Sequence, residues 1–227
     1  MSDFTRFAIY YVPPTGPLEQ FGAAWLGWDI ATGSAAPHPQ VDGLDVEAVT
    51  ETPRKYGFHA TLKPPFRLAE SHGEVELQAA VADLADVLAP VTLDGLKLSQ
   101  IGSFLAFTVE GSQSGLNALA AACVRELDHF RAPARASEIE RRKAAGLTDR
   151  QTELLMQWGY PYVMEEFKFH MTLSGKLDLE TATRSKAAIE TLSLGALPRP
   201  FIIDAIALVG ERPDGQFETI RRYSLNG

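Results

Sequence analysis

Two segments of this chain repeat one another. Tyr56-Gly57-Phe58-His59-Ala60-Thr61-Leu62 is echoed by Phe167-Lys168-Phe169-His170-Met171-Thr172-Leu173, with the histidines 111 positions apart in a chain of 227 residues. On average residue usage, a given histidine would match the other's Phe, Thr and Leu by chance roughly once in several thousand trials. The separation is close to half the length and points to a duplicated lobe. Along an extended strand successive side chains alternate between faces, so His59 and Thr61 point one way while Phe58, Ala60 and Leu62 point the other. The same parity groups His170 with Thr172 and turns Phe169, Met171 and Leu173 into the core. Each lobe then offers one imidazole and one hydroxyl from a rigid strand. Two lobes facing each other about a pseudo-twofold axis would line a single cleft with all four groups.

The pattern around these motifs alternates between strands and helices. Phe7 to Val12 reads as a strand stopped by Pro13-Pro14, Leu18 to Trp28 as a helix, and Ala31 to Gly43 as a loop. Phe58 to Leu62 is strand-like and closed by Pro64-Pro65, Glu74 to Leu88 is an amphipathic helix, and Val91 to Leu98 with Phe104 to Val109 are strands. A helix follows from about Ser114 to Phe130. Helix formers fill 132–159, with a capping candidate at Thr148, and read as a two-helix insertion. Phe167 to Ser174 is strand-like, Glu180 to Leu194 helical, and Phe201 to Val209 with Phe217 to Leu225 form a hairpin across Arg212-Pro213-Asp214-Gly215. The expectation is a mixed α+β fold with antiparallel sheet. A single bilobal domain over 1–227 is expected, with lobes of about 1–130 and 131–227.

Composition bounds the function. Hydrophobic residues at 45% and charged residues at 22% describe an ordinary folded protein. A net charge of −8 argues against coating nucleic acid through many phosphate contacts, yet leaves room for a small anionic substrate in a locally positive pocket. The lone cysteine, Cys123, excludes an intramolecular disulfide and a cysteine-based zinc site, and its apolar neighbours mark it as a buried, inert thiol. No apolar run of about 18 residues is present and Met1 to Arg6 lacks a secretory pattern, so no membrane association and a cytoplasmic location are expected.

Two histidines across a cleft suit phosphodiester cleavage: near neutral pH one accepts a proton while the other, protonated, donates to the leaving oxygen. Neither a metal nor another cofactor is needed. The hydroxyls of Thr61 and Thr172 can donate to non-bridging phosphate oxygens and stabilise the transition state. By parity Lys63 continues on the face of Thr61 and could add positive charge there, with Lys55 and Lys168 sharing that parity more loosely. Tyr10, on the first strand, is a further candidate for substrate contact. Trp158, Tyr160 and Tyr162 could stack a base or ribose, although packing at a helix terminus suits them better. His38, His72 and His129 lack the motif context and read as structural or solvent-exposed. Phosphate-loop, dinucleotide, serine-esterase and zinc-protease signatures are missing from the chain.

With these residues in view, the chain resembles the 2H phosphoesterase superfamily, which is defined by two His-x-Thr/Ser motifs. More narrowly, it resembles a group of proteins associated with phosphonate metabolism. That resemblance runs through the Tyr-x-x-Pro-Pro start, Trp25-Leu26-Gly27-Trp28-Asp29, the stretch Lys55 to Phe66, and Trp158-Gly159-Tyr160-Pro161-Tyr162 before the second motif. It implies a bilobal fold with two antiparallel sheets facing a central cleft and helices outside. It also implies hydrolysis or transesterification of cyclic or linear phosphodiesters, such as 2′,3′-cyclic nucleotides or ribose cyclic phosphates, with His59 and His170 catalytic. Two other readings use the same residues. One is action on RNA termini, which a broad basic groove would favour; the other is a binding module that retains a phosphate ligand without turnover.

Overall fold

Arg6-Phe7-Ala8-Ile9-Tyr10-Tyr11 is apolar along nearly its whole length, as a strand buried on both faces must be. As β1 (Arg6–Tyr11) it is paired on both sides. The computed structural model describes residues 3–144 and 146–227. Met1 and Ser2 of the N-terminal reading, and Ala145 of the 132–159 reading, lie outside them.

After β1 come α1 (Pro17–Leu26), the short strands β2 (Trp28–Asp29) and β3 (Ser34–Ala35), α2 (Val46–Arg54), β4 (Ala60–Phe66) and α3 (Glu74–Val87). Then follow β5 (Val91–Leu93), β6 (Gly95–Ile101), β7 (Phe104–Glu110), α4 (Ser114–Glu126), α5 (Ala136–Lys143) and α6 (Asp149–Trp158). The chain continues through β8 (Met171–Thr172), α7 (Leu179–Leu192), β9 (Phe201–Ile203), β10 (Ala205–Glu211) and β11 (Phe217–Ser224). Seven strands make one antiparallel sheet in the order β11-β10-β1-β4-β8-β7-β6, and β2–β3 and β5–β9 form separate two-stranded ribbons. The chain therefore adopts the α+β antiparallel architecture read from its sequence. The two expected sheets are the halves β11-β10-β1-β4 and β8-β7-β6, joined where Ala60 pairs with Met171.

The two faces of the sheet have different fates. On one, Phe7, Ile9, Tyr11, Leu62, Phe107, Met171 and Leu173 pack with Trp25 of α1, Leu77 of α3, Leu119 and Cys123 of α4 and Ile189 of α7. The Trp25 indole N–H donates to the Leu173 carbonyl at 2.7 Å, tying α1 to the strand that carries the second motif. Cys123 is fully buried here, and burial pushes its thiol up to about 12. The other face carries Ala8, Tyr10, Val12, Ala207, Val209 and Phe217, partly covered by Trp28 and Ile30. His38 holds the Trp25 carbonyl through Nδ1 at 3.1 Å, His72 pairs with Glu76 at 3.4 Å, and His129 lies 4.2 Å from the Phe130 ring. Among the described residues, no helix is long and apolar enough to cross a membrane.

Several boundaries differ from the sequence reading for identifiable reasons. Helix α1 stops at Leu26 because Gly27 turns the backbone left-handed at φ 75°. Helix α2, capped by Asp45 accepting from the Ala48 N–H at 3.0 Å, falls in a stretch with no expected element; Pro53 in its last turn masks the helical pattern. Strand β4 continues through Pro64-Pro65 instead of ending there. The prolines sit at an irregularity in the pairing with β1, where β4 advances three residues from Lys63 to Phe66 while β1 advances two from Ile9 to Phe7.

The continuation of β4 also relocates Lys63. Tyr10 pairs with Thr61, but Ile9 pairs with Lys63, so β4 advances two residues while β1 advances one. This β-bulge at Leu62 reverses the alternation, and Lys63 leaves the face of Thr61 for the helix-covered face. There it is 2% exposed, and its ammonium donates to the Val124 carbonyl at 3.1 Å and to Asp128 Oδ1 at 3.4 Å. Burial depresses its pKa to about 8. The expectation that Lys63 contacts substrate is thus corrected: it joins β4 to α4. Replacing it by alanine takes this donor from the Val124 carbonyl and leaves a cavity where the buried side chain stood, while Asp128 keeps Arg131, and should lower unfolding free energy by about 2 kcal/mol. Urea denaturation checks this, and a stability change near zero accompanied by weakened ligand binding would contradict it.

Candidate active site

The seam between β4 and β8 assembles the duplicated motifs. Continuing the register of Ala60 and Met171 by one residue each way sets His59 opposite Thr172 and Thr61 opposite His170. Directly opposed residues of antiparallel strands have Cβ atoms about 4.5–5.5 Å apart, and the pairing carries its own local twofold axis. Thr172 also pairs with Ala106 of β7, whose side chain shares its face. The two imidazoles and two hydroxyls therefore occupy one small patch on the face opposite the helices. His59 and Thr172 line a common pocket with Thr52, Tyr56, Gly57 and Ser174.

The motifs repeat in their hydrogen bonds as well as in sequence. His59 Nδ1 donates to the Gly57 carbonyl at 2.9 Å, and His170 Nδ1 donates to the Lys168 carbonyl at 2.8 Å. A carbonyl can only accept, so each ring carries its proton on Nδ1 when neutral and turns Nε2 free for chemistry. At His59 that lone pair meets the Thr61 hydroxyl at 3.1 Å. Gly57 allows this arrangement: its φ is 66°, and a Cβ there would stand 2.5 Å from the Cβ of Ile30.

The two histidines sit in different surroundings. Tyr10 stacks on His59 with centroids 3.7 Å apart and planes 18° apart, and Tyr56 closes another side at 6.3 Å. Although one edge of the ring reaches the cleft, these aromatics exclude most of its water. Desolvation, with a smaller contribution from the charge of His170, drives the His59 pKa down to about 4, against the opposing hydrogen bond to Gly57. His59 is therefore neutral at pH 7. His170 rests against the ring of Phe104 at 5.9 Å.

A family model described as a protein of unknown function (DUF1045) matches residues 61–218, from Thr61 through His170 and Thr172. The chain belongs to this family. It is 34% identical over 232 residues to "Ribose 1,5-bisphosphate phosphokinase PhnN" of Janthinobacterium sp. (strain Marseille), covering 98% of this chain and 51% of that protein. A protein of the same name from Laribacter hongkongensis (strain HLHK9) is 34% identical over 219 residues, 92% of this chain and 49% of that one. The chain thus spans about half the length of the curated relatives it matches. Among solved structures it is similar to E. coli LigT complexed with NADP+ (TM-score 0.46, 14% identity) and to apo E. coli LigT (TM-score 0.45, 15% identity), each over 100% of both chains.

In this member of the DUF1045 family, the residues singled out by sequence divide cleanly. His59, Thr61, His170 and Thr172 come together, and Tyr10 joins them as the ring that stacks on His59; Lys63 does not. Lys55 lies 4.8 Å over the Tyr56 ring, and Lys168 contributes its backbone carbonyl. Burial raises the Tyr10 pKa, with smaller contributions from the nearby Tyr56 and Tyr160 phenols, so Tyr160 stands at the rim of the site. Tyr56, Phe104 and Ser174 carried no motif signal. Tyr56 lies inside the first repeat, however, where Phe167 is its counterpart. Tyr10→Ala should admit water to the imidazole and raise the His59 pKa from about 4 toward the ordinary value near 6.5. NMR titration of the ring checks it; an unshifted titration would show that the stack does not desolvate the histidine.

Proposed function

We propose that the protein is a phosphodiesterase that opens a small cyclic phosphodiester, a 2′,3′-cyclic nucleotide or a ribose cyclic phosphate, using its two histidines as proton carriers. The observation that supports it most is the crossed set of His59, Thr61, His170 and Thr172 around one strand pair. Neutral His59, with Nδ1 held by Gly57, takes a proton from water through Nε2 as the water attacks phosphorus. His170, with Nδ1 held by Lys168, gives a proton from Nε2 to the sugar oxygen that leaves, so one P–O bond forms as another breaks. Thr61 and Thr172 donate to the non-bridging oxygens and stabilise the added charge.

The names of the relatives support a narrower reading of the substrate. They are called kinases of ribose 1,5-bisphosphate, and this chain matches about half of each. Opening a 5-phosphoribosyl 1,2-cyclic phosphate at its 2-oxygen leaves ribose 1,5-bisphosphate, so such a ring is a fitting substrate for a protein of this family. This chain has no Gly-x-x-x-x-Gly-Lys phosphate loop, which weighs against the kinase activity itself.

The test is hydrolysis of a panel of cyclic nucleotides, ribose cyclic phosphates and 2′,3′-cyclic-ended RNA with EDTA present. Wild type should turn over a small cyclic phosphate, and His59→Ala and His170→Ala should each lose on the order of 10²–10⁴ in kcat. Preference for the RNA would favour end processing, and tight binding without turnover would favour a binding module. The acid limb of the wild-type kcat/KM profile should fall near pH 4, where His59 gains its proton and can no longer act as base. A limb near pH 6.5 would contradict the assignment of His59 as base.

A further inference from the structure

Beside the histidine patch, arginines from distant parts of the chain converge. Arg6, Arg67, Arg131, Arg141 and Arg142, with Glu138, line one pocket. The backbone builds it deliberately: the Ala132 N–H donates to the Arg67 carbonyl at 2.7 Å and the Ala69 N–H to the Phe130 carbonyl at 2.9 Å, setting Arg67 and Arg131 on adjoining segments. Helix α5 is then docked by a two-pronged pair, Arg67 Nη1 and Nη2 to Glu138 at 2.8 and 3.2 Å.

Three of the five guanidiniums have carboxylate partners: Arg6 with Glu211, Arg67 with Glu138 and Arg131 with Asp128. Arg141 and Arg142 have none among the described residues; Arg142 lies 4.6 Å over the Tyr160 ring. The pocket thus holds a surplus of two positive charges within a protein of net charge −8. Gathering like charges costs free energy that an anion would offset. Arginine presents its donors in a planar fork matched to phosphate oxygens, and a phosphomonoester carries close to two negative charges.

The pocket is linked to the histidine patch by a short run of aromatic contacts. The Arg6 guanidinium lies 5.7 Å over Phe217, Phe217 is 6.1 Å from Tyr10, and Tyr10 is 3.7 Å from His59. Arg6 and Tyr10 share one face of β1. On the other side, Tyr160 lies under Arg142 and near Tyr56, which lines the His59 pocket.

We propose that this arginine pocket receives a second phosphate group carried by the same substrate, so that the favoured ligand is a sugar cyclic phosphate bearing a phosphomonoester. The inference rests on the phosphodiesterase reading and deepens it. Binding at the pocket, remote from the reacting bond, positions the ring between the histidines. The experiment compares kcat/KM for two ribose cyclic phosphates, with and without a 5-phosphate, in wild type and in an Arg141→Ala/Arg142→Ala double variant. Because α5 presents both residues at its solvent-accessible end, the fold should survive, which circular dichroism checks.

The double variant should lose about 100-fold on the 5-phosphorylated ring and less than about threefold on the other. Equal losses on both, or none on either, would overturn the proposal. Should neither ring be turned over, the phosphodiesterase reading fails, and calorimetric binding of ribose 5-phosphate and of inorganic phosphate decides the pocket separately. Ribose 5-phosphate bound more tightly than inorganic phosphate by wild type, and weakened by the double variant, supports a sugar-borne phosphate. Equal affinity for the two ligands would make it a site for free phosphate and overturn the proposal, as would binding unaffected by the substitutions.

Discussion

The pairing of Ala60 with Met171 is the contact on which everything else turns. It joins two half-sheets of distant sequence origin and, because antiparallel strands are related by a local twofold, it brings the two copies of a motif into mutual opposition. A slip of one residue would turn the histidines and threonines into the helix-covered core and expose Ala60 and Met171. The seam is short, so its register depends on its surroundings. Trp25 binds the Leu173 carbonyl, Ser174 Oγ accepts from the Leu105 N–H at 2.9 Å, and the Gly175 N–H reaches the Val49 carbonyl at 2.8 Å. Phe58, Leu62, Phe169 and Leu173 add the apolar burial that penalises the wrong register.

From that frame the electrostatics follow. Both histidines tie Nδ1 to the carbonyl two residues earlier, which sets tautomer and ring orientation without any further residue. The difference between them comes from what lies on top. Tyr10, 1% exposed and packed with Phe217, covers one face of the imidazole, so His59 is kept largely dry and uncharged. Two copies of one motif thus meet different neighbours, a stacked tyrosine at His59 and the tilted ring of Phe104 at His170.

Much of this was legible in the amino-acid sequence. Parity within Phe-His-x-Thr-Leu was enough to place His59 with Thr61 and His170 with Thr172, because each motif is locally extended where the strands meet. The same parity failed two residues further on. A bulge at Leu62 depends on how β1 pairs with β4, and no local pattern encodes it, so Lys63 was carried to the wrong face. Pairing between strands more than a hundred residues apart is equally invisible, so the seam that joins the two expected half-sheets shows only in the structure. The arginine pocket was hidden for the same reason: Arg6, Arg67, Arg131 and Arg142 meet only after the chain folds.

A crystal structure with a slowly hydrolysed cyclic phosphorothioate bound would test the central claim most directly. The account predicts phosphorus held between the Nε2 atoms of His59 and His170, with the Thr61 and Thr172 hydroxyls on its non-bridging atoms. A ligand touching only one motif, or seated away from the β4–β8 seam, would contradict it.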